Sequence, residues 1–282
     1  MEYLLLLLVV PFLFGDFFGG GSEDAPDING TDGNDTLFGT ETAEEINAGA
    51  GDDAVAAWSG DDTVNAGDGE DVVLGENGND LIFGGAGDDV FNGGAGNDTI
   101  WLGDGDDELV DSSFVSDFDI GSEGDDRISG GDGNDGFGDW SGSDTLTGEL
   151  GRDFVNTIDM PGTEDAPDVN SGGWGIDTLY ADDGDTMSGG GNTDEFHVYV
   201  DSDIETDRAV TISDFDSATE TIELDLFSES LASTGPSDLL IETDPVSGDV
   251  TISVAGQQIA VVINPGSFDA SNVVVPNWAS VA

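Results

Sequence analysis

The sequence predicts an all-β protein: a solenoid of short strands and tight turns, closed at its C-terminal end by a β domain. Two observations carry this. From Gly30 the chain falls into units of nine residues, rich in glycine and aspartate. After residue 197 that period stops, and short alternating apolar segments replace it. A fixed short period marks a repeat architecture, and a solenoid needs a cap at its open end.

The first element, residues 1–22, is apolar from Tyr3 to Phe14 apart from Pro11, with Glu2 as the one charge before it. It lacks the basic n-region and small-residue cleavage site of a standard secretory signal. It is also shorter than the ~20 apolar residues that span a bilayer. An atypical targeting segment, a short anchor and an element packed on the fold all stay open. Membrane contact is expected only through this segment, if it is retained.

Residues 23–156 form the main array. Its clearest stretch is Gly84-Gly-Ala-Gly-Asp-Asp-Val-Phe-Asn92, then Gly93-Gly-Ala-Gly-Asn-Asp-Thr-Ile-Trp101. With the unit numbered 1 to 9, position 4 is glycine at 33, 51, 60, 69, 78, 87, 96 and 105. Position 6 is Asp35, Asp53, Asp62, Asp71, Asp80, Asp89, Asp98 and Asp107. Position 8 is apolar, running from Leu37 and Ile46 to Ile100 and Leu109. The unit at 39–47 is degenerate, with Thr42 and Glu44 at positions 4 and 6, and the unit at 111–119 keeps only Phe118. Ile120 resets the frame, and four more units place Asp126, Asp135, Asp144 and Asp153 at position 6.

A Pro-containing insert at 157–171 precedes a short second array at 172–197, with Asp177, then Asp185 and Asp194 after a one-residue slip. Residues 198–282 read as a β cap, with strands expected at 198–200, 210–212, 221–226, 239–243, 250–254 and 259–263. Ser247-Gly248-Asp249 suggests a hairpin turn there.

The residue types explain the unit. Glycine at positions 1, 2 and 4 permits φ > 0 and close backbone approach, which predicts a tight turn over the first six residues. Positions 7 to 9 then form a three-residue strand whose alternation sends position 8 into the core. One buried Val or Ile per unit returns about 1.5–3 kcal/mol, less than the entropy lost in ordering nine backbones. The shortfall predicts an added ligand that binds only the folded state.

Composition says which ligand. The 282 residues include 63 acidic against three basic side chains, a net charge of −60. That excludes nucleic acid and anionic membrane surfaces as electrostatic partners and points to cations. Cysteine is absent and His197 is the only histidine, so zinc and copper fit the repeats poorly. Many carboxylates plus backbone carbonyls in turns suit Ca²⁺ better than Mg²⁺, which demands tighter octahedral geometry.

These units resemble the RTX (repeats-in-toxin) family of calcium-binding nonapeptide repeats. The resemblance covers most of residues 30–197. It implies a parallel β-roll in which two units make one coil and Ca²⁺ is held between turns two units apart. Carried over, the pairs are Asp35–Asp53, Asp53–Asp71, Asp71–Asp89, Asp89–Asp107, Asp62–Asp80, Asp80–Asp98, Asp126–Asp144 and Asp135–Asp153, about eight Ca²⁺ sites. The segment Ile212-Ser-Asp-Phe-Asp216 with Thr221-Ile-Glu-Leu224 is similar to the region after RTX arrays in proteins exported by type I secretion. That implies an uncleaved C-terminal export signal, contact with secretion machinery, and a secreted or cell-surface protein.

No H-E-x-x-H and no G-x-S-x-G occurs, so the expectation is a protein that is not an enzyme. Paired carboxylates could act on a polysaccharide, but their repeat-structural role argues against it. A third class is a Ca²⁺-dependent adhesion module in which Trp58, Trp101 and Trp140, with Phe83, stack on a cell-surface glycan.

Overall fold

The structure, a computed structural model, describes residues 27–109, 124–138, 142–158, 166–182, 184–200, 208–226 and 234–276. The N-terminal apolar segment, the unit at 111–119, Trp140, Asp183 and the last six residues lie outside them.

Strands alternate between two parallel sheets. Glu45–Ala50, Thr63–Asp68, Leu81–Ala86 and Thr99–Asp104 are neighbours in the first, and Ala54–Ala56, Val72–Asn77, Val90–Ala95 and Glu108–Leu109 in the second. Each strand pairs with the one a full coil later: Ile46 faces Val64, Val64 faces Ile82, and Ile82 faces Ile100. Two nonapeptides therefore make one coil, and the architecture is a parallel β-roll. The position 8 side chains form two facing apolar columns. Ile46, Val64, Ile82, Ile100, Ile128 and Leu146 come from one sheet, and Val55, Val73, Phe91, Phe137 and Val155 from the other, all buried.

Two expectations about the unit need correction. Many strands are longer than three residues; Thr63–Asp68 runs from position 7 through position 3 of the next unit. Alternation therefore carries position 1 inward as well, and Ala48, Ala66 and Leu102 there are fully buried. Glycine at position 1 does not supply positive φ either. Positive φ falls at positions 2 and 4, as in Gly85 and Gly87 (φ +124° and +141°), while Gly84 is absent from that set. A Cβ on Gly84 would instead overlap the Leu102 carbonyl of the next coil and crowd the Asp89 carboxylate. The requirement at Gly84 is space. Trp58, Glu76, Glu149 and Asn192 adopt positive φ without being glycine, and each stands at position 2 or 4.

The pairing continues across the irregular segments. Thr99 pairs with Arg127, Thr145 with Val169, and Val169 with Thr186, although 28, 24 and 17 residues separate them in place of 18. The sheets continue across these changes of spacing. Parallel pairing also passes residue 198, where Glu195–Val200 pairs with Thr221–Leu226 and Thr186–Gly191 with Val210–Ile212.

The cap then turns antiparallel through Leu239–Thr243, Val250–Val254 and Gln257–Val262, with Gly248 at φ +86° between the first two. Val273–Val274 closes the second sheet beside Thr221–Leu226. A second apolar cluster, from Leu179 through Phe196 and Ile222 to Val262, fills this end. Between the two clusters lies a polar layer. Asn170, fully buried in the column, donates to Thr157 Oγ1 (2.8 Å) and to the Tyr180 carbonyl (3.1 Å).

Candidate metal centre

The turns at the two edges of the roll place the position 6 aspartates in two columns. On one edge each carboxylate Oδ1 accepts from the backbone N–H of its counterpart one coil earlier. The bonds run from Asp35 N–H to Asp53 (2.7 Å), Asp53 to Asp71 (2.7 Å), Asp71 to Asp89 (2.8 Å) and Asp89 to Asp107 (2.8 Å). The same bond joins Asp107 to Asp135, Asp135 to Asp153, Asp153 to Asp177 and Asp177 to Asp194. The other edge repeats it through Glu44, Asp62, Asp80, Asp98, Asp126, Asp144, Asp168 and Asp185. Every pair expected from the sequence is adjacent in these columns.

The columns also hold residues that the spacing did not assign as ligands. Asp168 sits inside the Pro-containing insert, yet it is buried and occupies a full place between Asp144 and Asp185. Asp177 and Asp194 extend the first column, and Glu220 of the cap ends it, accepting from Asp194 N–H at 3.4 Å. Its cue in the sequence, a carboxylate one residue before an apolar-alternating strand, is weak.

The second carboxylate oxygen is the chemically informative one. Oδ2 of Asp53, Asp62, Asp71, Asp80, Asp89, Asp98, Asp107, Asp135, Asp153, Asp177 and Asp194 is buried and has no hydrogen-bond partner. Buried polar atoms are almost always paired, and an ionised carboxylate left unpaired away from water is costly. Burial accordingly pushes Asp98 up to about 8 and Asp80, Asp89 and Asp135 up to about 7, with neighbouring carboxylates adding to the shift.

The N-terminal turns differ. Asp35 Oδ2 accepts from Thr31 N–H (2.6 Å) and Thr31 Oγ1 (2.8 Å). Glu44 accepts from Thr40 N–H (2.9 Å) and from the hydroxyls of Thr40 and Thr42. There the second oxygen is satisfied by protein donors.

The orphaned oxygens fit a hard divalent cation. They recur in register, they are anionic, and they stand beside glycine turns whose carbonyls add neutral oxygen donors, the ligand set that Ca²⁺ takes. A parallel β-roll with acidic turns stacked along both edges defines the class of repeat proteins whose turns hold metal. The family is specific: the RTX calcium-binding nonapeptide repeat model matches residues 27–55, 38–73, 74–109, 120–137 and 140–157. The chain carries these calcium-binding repeats over residues 27–157, and they support a Ca²⁺-binding β-roll. Comparison with curated protein sequences gives no match.

Proposed function

We propose that this is an extracellular Ca²⁺-binding protein whose roll folds only when Ca²⁺ occupies the intervals between turns. The observation that supports this is the row of buried, unpartnered Oδ2 atoms. At neutral pH the ion-free roll holds these oxygens either protonated against their ordinary affinity or charged and unpaired. Both states destabilise it, and a cation bound only to the folded state removes the penalty. The aspartates of the eight sequence-derived pairs are the proposed ligands. The continuous columns add the intervals Asp98–Asp126, Asp107–Asp135, Asp153–Asp177 and Asp177–Asp194, so the proposed ion count exceeds eight.

A chain that stays unfolded where Ca²⁺ is scarce can be exported as a chain and fold outside, in keeping with the C-terminal resemblance to type I substrates. No helix among the described residues is long and apolar enough to cross a membrane. The reading is non-catalytic, since the carboxylates that could do acid–base work are stacked between coils. Circular dichroism with Ca²⁺, with Mg²⁺ and with chelator tests it. Strand content is expected with Ca²⁺ and lost with chelator; equal strand content in both conditions refutes the proposal.

One observation favours adhesion as a second reading. Trp101, 42 % exposed, stacks on Phe83 at 4.8 Å and 7° on the outer face of the first sheet. Flat aromatic surface of this kind suits a sugar face. A glycan array that binds the parent and a Trp101→Ala variant equally, or binds neither, removes it.

A further inference from the structure

The one histidine lies outside the turn columns. His197 is on the outer face of the strand Glu195–Val200, where alternate residues 195, 197 and 199 point the same way. In the parallel register it faces Tyr180 on one side and Glu223 on the other, and Tyr199 faces Asp225. The Tyr180 ring stacks on the imidazole at 4.2 Å and 10°. The imidazole is more than nine-tenths buried and projects into a ring of carboxylates. Nε2 lies 3.5 Å from Glu195 Oε1, and Nδ1 lies 3.4 Å from Asp225 Oδ2. One ligand atom each from Glu195, His197 and Glu223 falls within 4.8 Å of the others.

We propose that Glu195, His197 and Glu223 form a second metal site, separate from the repeat turns and selective for a divalent transition ion of the Zn²⁺ type. Three arguments carry it. Imidazole is a poor ligand for Ca²⁺ and a good one for Zn²⁺, so the donor set differs in kind from that of the turns. One edge of the set already has the spacing Zn²⁺ needs: bonds of roughly 2.0–2.1 Å in a tetrahedron put neighbouring ligand atoms about 3.3 Å apart, near the 3.5 Å between Nε2 and Glu195, while the full set lies within 4.8 Å and has to draw in. Glu195 and Glu223 are at least partly exposed and can rotate inward to complete the set. Finally, the imidazole is oriented on its far side. Asp225 at Nδ1 supplies the carboxylate–histidine support that fixes the tautomer and aims Nε2 at a metal. Three protein ligands leave a fourth position to water or a further ligand. The competing account is an imidazole held by its carboxylate neighbours alone.

Because His197 is the sole histidine, its ring resonances report the site without assignment. The experiment is NMR of the full chain in saturating Ca²⁺, titrated with Zn²⁺, with Co²⁺ absorption as a second readout. The expected result is a shift of the imidazole signals that saturates at one equivalent, and visible Co²⁺ bands that Zn²⁺ displaces. Glu223→Gln is expected to lower Zn²⁺ affinity at least tenfold, the low end of what loss of even a supporting group does. Asp225→Asn should weaken it by roughly 10–100-fold. Imidazole signals that ignore Zn²⁺, or a Glu223→Gln variant that binds as tightly as the parent, overturn the site. The first of those outcomes assigns the cluster to ion pairing only.

Discussion

Alanine at Gly87 should damage the roll, while alanine at Gly136 should not. Gly87 stands at repeat position 4 with φ +141°, a region that side chains other than glycine enter at about 1–3 kcal/mol. Its added Cβ would lie 2.5 Å from the Gly69 carbonyl carbon of the preceding coil and closer still to the oxygen. Neither partner can withdraw freely. Gly69 N–H donates to Ala86 and Gly87 N–H to Asp104, both at 2.8 Å, and losing one such bond costs about 1 kcal/mol. The sum is about 2–4 kcal/mol. Gly136 has no positive φ, and its Cβ would meet nothing within 4 Å. There the smaller entropy of the unfolded chain should stabilise by about 0.4–1 kcal/mol. Urea unfolding in saturating Ca²⁺, followed by circular dichroism, measures both. Coils contact only their neighbours, so hydrogen exchange should show the Gly87→Ala loss first around residues 69–105. If the two variants unfold within about 0.5 kcal/mol of each other, the close stacking of position 4 backbones is not a constraint on this roll.

Asp89→Asn keeps an oxygen for the Asp71 N–H but removes a buried charge. It should leave the Ca²⁺-free protein no less folded than the parent while raising the Ca²⁺ concentration at the folding midpoint, read by circular dichroism; an unchanged midpoint would remove Asp89 from the ligand set. Protonation should substitute partly for Ca²⁺. Burial raises Asp62, Asp107 and Asp177 to about 6, Asp80, Asp89 and Asp135 to about 7, and Asp98 to about 8, from an ordinary value of 3.8. A folded pKa above the unfolded one stabilises fully below about pH 4 and is lost as pH rises through 6 to 8. In chelator, strand content should therefore be higher at pH 4 than at pH 8, and a flat or opposite profile would contradict the burial argument. Phe91→Ala, emptying a fully buried site between the sheets, should cost about 3–5 kcal/mol in Ca²⁺-saturated urea unfolding.

The regular coils were legible because one register repeats a single physical requirement many times. Asp53, Val55 and Gly51 are each explained by their counterparts 18 residues on. Where the spacing changes, that redundancy vanishes. Asp168 looks like an acid in a Pro-containing insert, and only its 24-residue step from Asp144 reveals its place in the column. At position 1 glycine allows both positive φ and close approach, and composition cannot separate them; Gly84 needs only the second, and buried Ala48 and Leu102 show that other coils admit a side chain there. The His197 cluster depends on Glu223 arriving opposite it after a 26-residue step, a register no local pattern encodes.

The position 6 bonds all run one way, each backbone N–H reaching for the carboxylate of the next coil. At position 5 the direction reverses: Asn97 N–H donates back to Asn79 and Asp106 N–H back to Asp88, both on exposed residues. Water can replace the position 5 acceptors at an end of the array, but it cannot reach the buried position 6 donors. The two ends of the roll are therefore unequal. Among the described residues the first column begins at half-exposed Asp35, whose second oxygen takes its donors from Thr31. The C-terminal end must be sealed by protein: Glu220 closes the first column by accepting from both Asp194 and Asp216, and the Asp182 carbonyl accepts from Asp185 N–H at the end of the second. Loss of an N-terminal coil would leave exposed position 5 groups to water, while loss of the segment that carries Glu220 would strand the buried Asp194 N–H.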